Sequence, residues 1–162
     1  MSGSLIVSDT SPLNYLVLIG AVDLLPKLVS AVLIPPAVAA ELADQRTPAT
    51  VRQWLSTSPP WLQIIAPRSV DPSLQLDRGE AEAISLATER GIRGILIDER
   101  KGFRVAKSKG LEPLGLLAIL EVSAMRGFFD FGTAVARLRT TTFHFSERLI
   151  SDAIKRLETA KS

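Results

Sequence analysis

Runs of apolar residues alternate with stretches of helical period along this chain, and that alternation sets the fold. Leu5, Ile6 and Val7 form a short apolar run that ends at Ser8-Asp9. A run apolar on both faces suits a buried parallel strand rather than a half-exposed one. Ser11 followed by Pro12 reads as an N-cap with proline at the first helical position, so a helix should begin there. Ala31–Ile34 repeats the buried-strand pattern, and Pro35-Pro36 end it and open a helix over 37–43. A further short strand is expected at Leu62–Ile65. Between Asp44 and Leu74 the prolines at 48, 59, 60, 67 and 72 predict loops around a short helix.

Asp77–Arg90 reads as a long helix with Ala83, Ile84 and Ala87 on one face, and Gly91 stops it. Gly94–Ile97 is another buried strand, ending at Asp98-Glu99. Helices are expected at 100–109, 116–125, 130–139 and 146–160. Strands separated by helices, with runs apolar on both faces, predict an α/β fold: a central parallel sheet covered by helices on both faces.

Composition narrows the chemistry. With 162 residues and 46% hydrophobic, the chain can bury one substantial core, so a single domain over 1–162 is expected. Cysteine is absent and His144 is the one histidine, which excludes thiolate and multi-histidine metal sites and leaves oxygen as the donor for any bound metal. The start MSGSLIVSDTS lacks a basic region and a long apolar run, and no uncharged stretch nears the ~18 residues of a membrane span. A cytoplasmic protein without a membrane segment is expected. The net charge is only +2, but Asp98–Lys109 holds five basic residues against two acids. That segment is either a solvated helix face or a guide for a polyanion.

The acids fall where a site would form. Ligand crevices of open parallel sheets lie beyond the carboxyl ends of the strands, and the strands at 5–8 and 95–97 each end in an aspartate, Asp9 and Asp98. Glu41 follows Val38 by three positions, about 60° off the axis of the face that Val38 and Leu42 bury, so it can reach a cleft. Glu80 and Glu82 lie in the first turns of the long helix, where either could simply complement the helix dipole. They are two residues apart, about 200° around an ideal helix, so both cannot enter one cleft. Converging carboxylates repel at low dielectric unless a hard divalent cation neutralises them, and oxygen-only donors select Mg²⁺ or Mn²⁺.

Four strings, in order, resemble the motifs of the PIN-domain nucleases: Ile6-Val7-Ser8-Asp9-Thr10-Ser11-Pro12-Leu13, Pro35–Leu42 ending in Glu41-Leu42, Leu76–Ala87 with Glu80 and Glu82, and Ile95-Leu96-Ile97-Asp98-Glu99-Arg100. The set spans residues 5 to about 110 and is compatible with the chain to about 125; residues 126–162 read as a helical extension. Within that family the chain is most similar to a toxin-like subgroup, the VapC ribonucleases of toxin–antitoxin pairs. The resemblance implies an endoribonuclease using Mg²⁺ or Mn²⁺, a homodimer, and inhibition by a small antitoxin protein. It implies a metal site and catalytic centre of Asp9, Glu41, Glu80 and Asp98; Ser11, and Arg100, Lys101, Arg104 and Lys107, which begin one turn after Asp98, are the candidate RNA contacts. Relatives usually carry Asp as the third acid, where this chain offers Glu80 or Glu82. Aligning Ser85-Leu86-Ala87 with the family's helix ending selects Glu80, 18 residues before Asp98; Glu99 is a possible assistant.

A phosphatase that begins on a strand-end Asp needs a second acid two residues later, and position 11 is Ser. A phospho-receiver needs paired acids at the first strand end, which Ser8-Asp9 does not supply. The alternative that stands is a catalytically inactive PIN-like module binding RNA or protein. His144, flanked by Phe143 and Phe145, reads as a partly buried packing or capping residue, and Trp54 and Trp61 as core or lid packing.

Overall fold

A computed structural model describes residues 4–161. Five strands, β1 (Leu5–Ser8), β2 (Ala31–Ile34), β3 (Leu62–Ile64), β4 (Gly94–Leu96) and β5 (Glu112–Leu114), form one sheet in the order β3-β2-β1-β4-β5. Every pairing is parallel, with Val7 beside Leu33 on one side and Ile95 on the other. The helices are α1 (Thr10–Leu18), α2 (Leu25–Leu28), α3 (Pro36–Leu42), α4 (Ala49–Ser56), α5 (Arg78–Arg90), α6 (Arg100–Ser108), α7 (Leu116–Met125), α8 (Phe131–Leu138) and α9 (Glu147–Lys161). The molecule is a single α/β domain, as the strand and helix patterns predict.

The doubly buried strands divide the core in two. Ile6, Val32, Ile34 and Leu96 face α1, α3, α4, α7, α8 and α9, while Val7, Leu33, Ile95 and Ile97 face α5 and α6. Successive strand residues point to opposite faces, so an apolar residue is needed at each position, which is why these segments read as unbroken apolar runs. Among the described residues no helix is long and apolar enough to cross a membrane.

Three expectations need correction. The first helix begins at Thr10, with Asp9 rather than Ser11 at its N-cap, so Pro12 lies within the first turn. A strand, β5, appears at Glu112–Leu114, where none is expected. Its Pro113 argues against a strand interior, but β5 is the sheet's edge, where a missing N–H is tolerated. A short 3₁₀ turn at Val22–Leu24 leading into α2 also goes unsignalled, because Pro26 breaks the periodicity there.

The strand order fixes where a ligand can enter. From β1 the chain moves outward through β2 to β3, then returns to the other side of β1 for β4 and β5. The reversal lies between β1 and β4, and loops leaving the carboxyl ends of these two strands part there to open a crevice.

A carboxylate cleft at the switch point

Asp9 follows β1 and Asp98 follows β4 by two residues, so the two acids flank the reversal. The Asp9 N–H donates to the Leu96 carbonyl at 2.9 Å, which ties its backbone into the sheet and sends its side chain out of the sheet's end. Asp98 is held from the other side: Oδ1 accepts from the Leu116 N–H at 3.0 Å at the start of α7, while Oδ2 is buried without a hydrogen-bond partner. These acids line one cleft of about 600 Å³ with Glu41 of α3, Glu80 of α5, Asp77 and Glu99. The neutral wall is Thr10, Ser11, Asn14 and Tyr15 from α1, and Thr142, Phe143 and His144 from the segment before α9.

Glu80 and Glu82 separate as helical geometry requires. Glu80 is buried against the cleft, and its Oε2 has no hydrogen-bond partner. Glu82 turns away to brace two helices: Oε1 accepts from the Ala37 N–H of α3 at 3.0 Å, and Oε2 from Arg78 Nε at 2.9 Å. Asp77 caps α5 by accepting from the Glu80 N–H at 2.8 Å. This acid also lines the cleft, and sequence reasoning passed over it as a helix start. The signal was present, since residues i and i+3 share a helix face and Asp77 stands three before Glu80.

Glycine makes the room for the acids. A Cβ on Gly79 would collide with Glu41 Oε1, and one on Gly102 with Glu80 Oε2. At Gly115 it would come within 2.7 Å of Asp98 Oδ1. Three of the four predicted acids therefore lie over backbone that carries no side chain, one glycine for each.

Burial and mutual repulsion set the charge state. Burial pushes the Asp9 carboxyl up to about 7, opposed by its hydrogen bond with the Thr10 backbone and reinforced by the negative charges of Asp77, Glu41 and Asp98. Glu80 rises to about 8, again first through burial, then through Asp77, Asp9 and Glu99. Burial also raises Asp98, against the Leu116 hydrogen bond. Strong perturbation of several acids in one cleft is characteristic of functional sites.

These features fit a hard divalent cation. The donors are all oxygen, Glu80 Oε2 and Asp98 Oδ2 are buried and unsatisfied, as is the Thr10 hydroxyl, and the acids repel one another. Among the described residues no three acids or histidines converge tightly enough to form a ready-made metal site.

The basic residues and His144 fall differently from expectation. Arg100 lines a cavity that adjoins the cleft, whereas Lys101 turns to the Gln75 carbonyl and Lys107 lies over the Phe103 ring. Arg104 is exposed on α6. His144 is exposed and lines the cleft, not packed as expected. Tyr15 positions its segment: the phenol hydrogen-bonds Thr142 Oγ1 at 2.8 Å, and the ring meets Phe143 edge-on at 5.0 Å. Sequence neighbours could not reveal this, because the contact bridges 127 residues. Trp54 and Trp61 pack together against the core, as expected.

A family model described as a PIN domain matches residues 5–159, which takes in every element from β1 to α8 and most of α9. No curated protein and no solved structure gives a significant match. PIN domains are nuclease-type domains that typically depend on divalent metal. With acids at the ends of β1 and β4, and the model matched almost end to end, this chain belongs to the PIN-domain family.

Proposed function

We propose that the protein is an endoribonuclease that uses Mg²⁺ or Mn²⁺ in the carboxylate cleft. The observation that carries this reading is the set of acids at the switch point: Asp9 and Glu80 are buried, Glu41, Glu80 and Asp98 lie over glycines, and Glu80 and Asp98 each keep an unsatisfied oxygen. Asp9, Glu41, Glu80 and Asp98 would hold the cation, and Asp77 and Glu99, which line the same cleft, would add to its negative field. A cation held there supplies charge stabilisation to the phosphodiester and a more acidic water. The protein's own groups do the rest. Ser11 and Asn14 offer hydroxyl and amide contacts to phosphate oxygens, and a cleft carboxylate takes the proton of the water that attacks phosphorus as the P–O bond to the leaving ribose oxygen breaks, that oxygen taking a proton from solvent. Arg100, with Lys101, Arg104 and Lys107 behind it on α6, gives the approaching strand a positive flank.

The resemblance to toxin-like relatives supports a finer reading: the toxin of a toxin–antitoxin pair, a homodimer held inactive by a small antitoxin. Its test is to co-express the chain with the product of the neighbouring reading frame, purify what associates, and assay RNA cleavage with Mn²⁺ and with chelator. Metal-dependent cleavage by the free chain that the partner suppresses is expected. A chain that neither binds divalent ions nor cuts RNA would instead be the inactive PIN-like module.

A further inference from the structure

A second cavity, about 640 Å³, opens beside the carboxylate cleft between α6, α7 and α9. Asp98, Phe143 and His144 line both, so the two are compartments of one depression. Their characters differ. The cleft is lined mainly by acids and hydroxyls, with Arg46 paired to Asp44, whereas the cavity presents Phe103, Phe143, Phe145, Leu117 and Leu149. The aromatic residues come from two separate places, α6 and the segment before α9, and Phe143 and Phe145 lie 6.0 Å apart with their planes 30° from parallel. Leu149, on the same wall, is 56% exposed.

Charge is placed selectively. Arg156 is matched by Glu121 through two 2.8 Å hydrogen bonds, so that pair adds little net charge. Arg100 makes no ion pair among the described residues and lines the cavity from the first turn of α6, two residues after Asp98.

We propose that this cavity is a nucleobase subsite: it takes the base of a nucleotide next to the phosphate held in the carboxylate cleft. The inference rests on the nuclease reading above and adds to it where the substrate's base goes. A cavity of this size lies within the range of ligand pockets. Only a sugar separates a base from its phosphate, so a strand whose phosphate sits in the cleft must send an adjacent base either to solvent or into the compartment that shares Asp98 and His144. Aromatic faces accept any base by stacking, and Arg100 is placed to meet the following phosphate. The resulting recognition is tolerant of base identity and demands a single strand, since a paired base cannot enter.

The test walks one abasic position along a short single-stranded oligoribonucleotide and measures binding with Ca²⁺, alongside cleavage with Mn²⁺. In the wild type one position should stand out, with removal of its base weakening binding about 5-fold or more, the size of base–aromatic stacking. In Phe145→Leu that position should lose its distinction, with an abasic effect under about 2-fold, and Phe145→Trp should restore it. Phe103→Leu provides the same test should Phe145→Leu fold poorly. Equal sensitivity to base removal at every position, or a distinct position unchanged in both leucine variants, overturns the subsite. In that case an apolar protein side chain becomes the candidate occupant. Binding without cleavage would refute the nuclease reading while the abasic walk still decides the subsite; cleavage with a featureless walk would refute the subsite alone.

Discussion

Glu80→Gln and Glu82→Gln should move stability in opposite directions. Glu80 carries a midpoint near 8 in the fold against 4.5 when unfolded, so at pH 7 folding must bring a proton to it or bury its charge. At about 1.4 kcal/mol per tenfold in proton activity, that burden is at most about 3 kcal/mol, and less where Asp77 and Asp9 share the proton or solvent screens the charge. Glutamine removes it but still buries a polar amide, so a net gain of about 1–3 kcal/mol is expected in metal-free protein, roughly 3–10 °C in Tm. Glu82 is the reverse case. Its oxygens already accept from Ala37 N and Arg78 Nε, and glutamine keeps one acceptor while losing the charge. Arg78 is 86% exposed, so its ion pair is screened, and the loss should be about 1 kcal/mol. The assay is thermal unfolding in chelator and in Mn²⁺. Wild type and Glu82→Gln should both gain Tm on adding metal, whereas Glu80→Gln should start higher, gain little and lose RNA cleavage. A Glu80→Gln protein that is destabilised without metal, or that responds to metal like wild type, would refute the assignment of Glu80 to the cation.

Asp9→Asn should retain the fold, checked by circular dichroism, and lose metal-dependent cleavage; wild-type cutting rates would remove Asp9 from the centre. Gly102→Ala should push the Glu80 carboxylate off its seat and also press Ile97 Cδ1 at 2.6 Å. It should therefore weaken metal binding in a titration, and destabilise by about 1–3 kcal/mol as overpacking does. Because Asp9 and Glu80 titrate higher in the fold than the unfolded 3.8 and 4.5, the native state holds the extra protons. Their contribution to stability is therefore fullest below about pH 4 and is lost as pH rises towards 7 to 8. Metal-free Tm should fall across that window, and Mg²⁺ or Mn²⁺ added near pH 6.5 should release protons, seen as buffer-dependent heats. Neutralising Arg100 and Arg104 together should lower the slope of log affinity for single-stranded RNA against log salt by ~1.4, and an unchanged slope would leave them as a solvated face.

What the sequence could and could not reveal follows from the range of each interaction. β1, β2 and β4 were legible because a doubly buried strand must be apolar at each position, and the position of Asp9 and Asp98 follows once the strands are placed. That Glu80 and Glu82 could not both enter the cleft was also local, since residues two apart on a helix point about 200° apart, while the choice of Glu80 came from the family's helix pattern. Asp77 was missed for a different reason: its backbone role as the α5 cap gave a sufficient local explanation, and nothing local says that a cap can also face a cleft. β5 was hidden by Pro113, whose tolerance depends on being at a sheet edge, a property of the whole sheet. His144 and the aromatic cavity were beyond reach altogether. They exist because Tyr15, near the start of the chain, holds Thr142 and Phe143 near its end, and a contact of that span leaves no periodic trace. The same contact makes the segment before α9 a wall of the cleft. Packing of α8 and α9 against the sheet's first core is therefore coupled to the shape of the site, although neither helix carries one of its acids. Tyr15 transmits that coupling: its ring and hydroxyl hold the wall to α1, the helix that Asp9 itself begins.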